Sequence, residues 1–103
     1  MKVIIKPVGK PARVVDWDWP KETEKRLDLI RGAIGGGWYE SAPGPIKTRL
    51  YCDEEGLLKE LPYNALGLVG DLLIVNERTG PHGTYCVDLT AEQIEKVLPL
   101  LNS

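Results

Sequence analysis

Arg49-Leu-Tyr-Cys-Asp-Glu-Glu-Gly-Leu-Leu-Lys-Glu-Leu-Pro-Tyr-Asn-Ala-Leu-Gly-Leu-Val-Gly-Asp-Leu-Leu-Ile-Val75 is the stretch on which the fold turns. Lys47 to Cys52 alternates, with Thr48, Leu50 and Cys52 on one side, as a half-buried strand does. Asp53-Glu54-Glu55-Gly56 reads as a turn, with Gly56 available for positive φ. Leu57 to Leu61 then reads as the returning partner strand, halted by Pro62, which has no N–H to donate. Tyr63 to Leu68 fits one helical turn. Gly70-Asp71 opens Leu72-Leu73-Ile74-Val75, apolar on both sides and therefore a central strand.

Toward the N-terminus, Trp38 to Ser41 forms a strand that Pro43-Gly44-Pro45 breaks. Gly35-Gly36-Gly37 ends the helix before it, because glycine alone adopts the left-handed C-terminal conformation without strain. That helix starts at Pro20, whose missing N–H is not needed in a first turn, and aligns Leu27, Ile30 and Ile34 on one face. Val3-Ile4-Ile5 and Arg13 to Trp17 make two strands, paired as a hairpin over residues 2–17. Toward the C-terminus, Asn76 to Gly83 reads as a polar loop carrying the single histidine, His82, and Thr84 to Asp88 as the last strand. Thr90-Ala-Glu-Gln93 matches a capping box, with Leu89 and Ile94 as its hydrophobic staple. Ile94, Val97, Leu98 and Leu101 form the stripe that this helix buries, and Pro99 is expected to end or kink it.

The order of elements predicts an α+β fold, one domain over residues 1–103. Its sheet is mostly antiparallel, of about six or seven short strands, with helices at about 20–34 and 91–98 covering one face. A chain of 103 residues with 43% hydrophobic content buries a core without metal or disulfide staples. Fifteen acidic residues against 13 basic ones, net −2, argue against a nucleic-acid surface, which needs clustered Lys and Arg. No run of 18 apolar residues is present to span a membrane. The apolar run after Met1 is too short for a signal peptide. Two cysteines make no disulfide framework, so the expected setting is the reducing cytoplasm.

The chemistry-bearing residues give few constellations. Asp53-Glu54-Glu55 lacks the spaced oxygens of a cation loop, and Cys52, Cys86 and His82 lack the close ligand pair of a zinc site. The reading is therefore no metal and no cofactor. The triple glycine follows a helix C-terminus, where the dipole has the wrong sign for phosphate. The aromatic residues are a different matter. Trp17, Trp19, Trp38, Tyr39 and Tyr63 lie beside turns, where they either close the core edges or anchor a ligand. Trp38, Tyr39, Glu40, Arg49, Tyr63, Asn64 and Asp71 are the candidate ligand- or partner-binding residues, with no catalytic residue assigned.

Gly36-Gly37-Trp38-Tyr39-Glu40, Tyr51-Cys52-Asp53-Glu54-Glu55-Gly56, Leu61-Pro62-Tyr63-Asn64 and Val69-Gly70-Asp71-Leu72-Leu73-Ile74-Val75 follow one another within roughly residues 27–98. Together they resemble a family of small proteins of phages, plasmids and other mobile elements described only as a domain of unknown function. That resemblance implies a mobile-element origin and the host-cell cytoplasm, and it implies no activity. The leading expectation is a non-enzymatic binding module that contacts a host protein or sequesters a small ligand. One alternative is a small enzyme acting on a nucleotide or peptide through Glu40, Asp71 or His82. Another is a self-assembling structural protein, a homo-oligomer.

Overall fold

The computed structural model describes residues 1–103. Six strands and two helices follow one another as β1 (Lys2–Lys6), β2 (Arg13–Asp16), α1 (Thr23–Ala33), β3 (Tyr39–Pro43), β4 (Arg49–Asp53), β5 (Leu72–Gly80), β6 (Gly83–Val87) and α2 (Ala91–Leu101). Every pairing is antiparallel. The sheet runs β2-β1-β5-β4-β3, and β6 pairs with the far half of β5. The fold is α+β, as the element order predicts.

The organising element is the first half of β5. Leu72, Leu73, Ile74 and Val75 are all buried. Successive strand residues point to opposite faces, so both faces of the sheet need a cover. Leu72 and Ile74 pack with Ile4, Leu50, Cys52, Leu89, Val97 and Leu101, which places α2 on one face. Leu73 and Val75 pack with Val3, Tyr51, Ile30 and Ile34, which places α1 on the other. The expectation that both helices share a face is thus corrected. A central strand apolar on both sides leaves no face for solvent.

Four local expectations are also corrected. The helices run 23–33 and 91–101 rather than about 20–34 and 91–98. Pro99 lies inside α2 without stopping it: the bond it forfeits is to Glu95, and both residues are exposed, so water takes that carbonyl. Leu57 to Leu61 is no strand, because β4 is interior and its two edges are already taken by β3 and β5. Asn76 to Gly80 is no loop. It continues β5 and pairs with β6 from Asn76–Val87 to Gly80–Gly83, leaving Pro81-His82 as a two-residue connection. Its polar side chains have two origins: Asn76 is buried and donates through Nδ2 to Asp88 O at 2.9 Å, while Arg78 and Thr79, farther out on the hairpin, are exposed.

Local signals set the start of α2 and the end of α1. Thr90 Oγ1 accepts from Gln93 N–H at 3.1 Å, and Gln93 Oε1 accepts from Thr90 N–H at 2.9 Å, which closes the capping box. Gly35 and Gly36 take φ of +96° and +93° at the end of α1, and Gly36 N–H donates to Arg31 O at 2.7 Å.

Candidate functional site

A cleft of about 610 Å³ opens on the α2 face, between the β3–β4 pair and the segment 54–69. Its floor begins with Glu40 and Cys52, directly opposite each other on β3 and β4. The Cys52 thiol lies 3.7 Å from Glu40 Oε1. Burial, then the neighbouring Glu40 carboxylate, pushes that thiol up to about 11, so it is protonated at neutral pH and a poor nucleophile.

Asp53 closes the end of β4. Its Oδ2 accepts from Lys59 Nζ at 2.8 Å, and its Oδ1 from Glu55 N–H at 2.8 Å. The Lys59 ammonium holds the Asp53 carboxyl below the usual carboxylate range. This pair needs a glycine beneath it. A Cβ at Gly37 would stand 2.6 Å from Asp53 Oδ2 and 2.7 Å from Lys59 Nζ. Gly56, read from sequence as a positive-φ turn residue, is not one of the positive-φ positions. It is there for close approach: a Cβ would meet Val69 Cγ2 at 2.6 Å. The first left-handed residue after this turn is Glu60, at φ 54°, with Leu66 and Gly67 following at 60° and 70°.

The wall is irregular in backbone yet densely tied. Leu61 N–H donates to Gly56 O at 3.0 Å, Gly70 N–H to Pro62 O at 2.8 Å, and Tyr63 pairs with Val69 as an isolated bridge. Asn64 makes three side-chain bonds. Its Nδ2 donates to Lys6 O at 2.9 Å and Gly70 O at 2.8 Å, and its Oδ1 accepts from Ala65 N–H at 2.7 Å. The wall therefore presents Leu57, Leu58 and Tyr63 at 76%, 84% and 78% exposure with no cover from the chain itself. Leu68 and Val69 continue the apolar lining inward. Residues 53–60 hold four carboxylates (Asp53, Glu54, Glu55, Glu60) against Lys59. That is a local charge of −3 in a chain whose net is −2.

Of the seven residues singled out by sequence, Glu40 and Tyr63 line this cleft. Trp38 is 57% exposed, with the Arg31 guanidinium 4.4 Å over its ring. Tyr39 points to the α1 face, edge-on to Tyr51 at 5.1 Å. Arg49 donates to Ser41 Oγ at 3.2 and 3.1 Å. Asp71 accepts from Val8 N–H at 2.8 Å and fastens the β1–β2 turn. The seven do not converge. Leu57, Leu58, Leu68 and Val69 were missed, since a strand reading sends alternate residues of 57–61 into a core. Adjacent leucines flanked by Glu54, Glu55 and Glu60 were the available signal: two neighbours cannot share one buried strand face.

The other chemical groupings separate in space. Cys52 packs on the α2 face and Cys86 against the α1-face core, while His82 sits exposed at the β5–β6 turn. No three His, Cys, Asp or Glu side chains come together as a metal site would need. Tyr51 OH donates to Glu77 Oε2 at 2.8 Å, and burial raises its pKa above the ordinary tyrosine value. No helix is long and apolar enough to cross a membrane.

Fold and site together define a small two-faced α+β protein with one acidic, apolar-rimmed cleft. The chain belongs to the family described as a domain of unknown function, DUF3846, whose model matches residues 1–102. That match takes in β1 and β2, beyond the 27–98 span of the motifs. No curated protein and no solved structure matches the chain.

Proposed function

We propose that this protein is a non-enzymatic binding module whose cleft receives a segment of another protein. One observation carries the reading: Leu57, Leu58 and Tyr63 stand exposed in the lining of one cleft, on a wall fastened by backbone and Asn64 hydrogen bonds. Exposed apolar groups held on a fixed support lose little entropy when covered, and aromatic and aliphatic anchors dominate interface energetics. The cleft chemistry agrees. Its one thiol is protonated and paired to Glu40, and its buried carboxylate is neutralised by Lys59. The setting we propose is the cytoplasm of a host cell carrying a phage or other mobile element. The two free cysteines suit such a reducing compartment.

The test is selection from a displayed random-peptide library with the wild-type protein and with the Leu57→Ser/Leu58→Ser double variant. Both leucines are exposed, so the variant keeps its fold. Peptides enriched on wild type and lost on the variant support the reading. No enrichment, or peptides that bind both proteins equally, refutes it.

A further inference from the structure

We propose that the segment taken by this cleft is an extended, basic-and-aliphatic peptide that adds to the free edge of β3 as a seventh strand. The inference rests on the binding reading above and specifies its mode and partner chemistry. β3 is the last strand of the sheet and pairs on one side only, with β4. Two hydrogen bonds fix which of its backbone groups are free. Trp38 O accepts from Glu54 N–H at 3.0 Å, and Gly44 N–H donates to Thr48 O at 2.8 Å. Residues 38 and 44 therefore face β4. Alternation along an antiparallel ladder turns the N–H and C=O of Tyr39 and Ser41, and the C=O of Pro43, outward. Pro43 has no N–H, so the usable edge is short and its register is limited.

The side chains beside this edge define what fits. Glu40 belongs both to β3 and to the cleft lining. On an added antiparallel strand, the residue opposite Glu40 occupies a non-hydrogen-bonded pair, where Cβ atoms come closest, at roughly 5 Å. A lysine or arginine there meets the Glu40 carboxylate, with Glu54 in the same cleft lining. Tyr39 pairs with Asp53, so the loop carrying Leu57 and Leu58 begins at the Trp38 end of the strand. A leucine two positions from the basic residue, toward that end, lies on the same face and against those side chains.

Charge also selects against a second copy of this chain. Antiparallel pairing of β3 with a second β3, in the register that sets Glu40 opposite its own copy, would hold two carboxylates face to face at a non-hydrogen-bonded pair. The other strands paired on one side only, β2 and β6, have no cleft beside them: none of their residues lines a cavity.

The experiment uses an end-capped peptide, Thr-Leu-Thr-Lys-Thr-Leu-Thr, titrated into the ¹⁵N-labelled full chain. Binding should slow amide exchange at Tyr39 and Ser41 and weaken with added salt. Ser41→Pro removes an outward N–H that β4 does not use, a substitution edge strands accept. It should weaken the peptide about tenfold, the worth of roughly one net hydrogen bond. Glu40→Lys should reject the lysine peptide and accept its Lys-to-Glu counterpart, which keeps the proposal testable if Ser41→Pro fails to fold. Lost binding in Leu57→Ser/Leu58→Ser with full binding in Ser41→Pro would overturn strand addition and leave the cleft reading standing. No binding to wild type at millimolar peptide, or binding with no protection at Tyr39 and Ser41, would also overturn it. So would concentration-dependent dimers formed through β3.

Discussion

Asn64→Ala tests whether the conspicuous Leu61-Pro62-Tyr63-Asn64 segment is scaffold or ligand contact. The side chain makes three bonds, two as donor to Lys6 O and Gly70 O and one as acceptor from Ala65 N–H. It joins three separate pieces of chain: the end of β1, the cleft wall and the start of β5. At about 1 kcal/mol net for each bond, with a further penalty where a half-buried carbonyl is left unpaired, the loss is about 3 kcal/mol. For a domain of this size that lowers Tm by roughly 12–20 °C. Guanidinium and thermal unfolding followed by far-UV circular dichroism measure it. Asn64→Asp keeps the acceptor but turns an oxygen toward two carbonyl oxygens, so it should cost at least as much at neutral pH. The carboxyl it introduces has its folded pKa raised by those carbonyls. Its penalty should therefore shrink as pH falls through that raised value and the group regains a donor. A loss below about 1 kcal/mol for Asn64→Ala, with unchanged pH behaviour for Asn64→Asp, would refute the latch and return Asn64 to the ligand candidates.

Four further outcomes follow from the geometry. The folded pKa of Asp53 is depressed, so its pairing with Lys59 contributes fully above about pH 4 and is lost as pH falls through the lower folded value; Lys59→Met should flatten that acid limb in urea midpoints taken across pH. Gly37→Ala should part the same ion pair, because its Cβ would stand 2.6 Å from Asp53 Oδ2, and an unchanged acid limb would speak against that contact. Thr90→Ala removes the N-cap of α2 and should cost about 1 kcal/mol, read as a shift of the denaturation midpoint at constant slope. Burial raises both thiols, Cys52 to about 11, so iodoacetamide at pH 8 should label the native chain far more slowly than the unfolded one, and equal rates by mass spectrometry would contradict the packing.

The α+β class, the two helices, the capping box and the central strand were legible in sequence because each is written in neighbouring residues. Thr90 and Gln93 are three apart, and Leu72 to Val75 is a contiguous apolar run. That same run also implied covers on two faces, a consequence that only the packing of α1 and α2 made plain. Partnerships between distant segments were not legible. Leu57 to Leu61 has the composition of a strand, but hydrogen-bonding edges are a finite resource, and β3 and β5 had already occupied both edges of β4. Asn76 to Gly80 has the composition of a loop, yet β6 supplies the ladder that makes it a strand. The site shows the same division. Sequence pointed to aromatic and polar residues near turns, and Glu40 and Tyr63 line the cleft. Tertiary structure turned Asn64 and Asp71 into fasteners and exposed Leu57 and Leu58, because which side of a residue meets water depends on neighbours far along the chain.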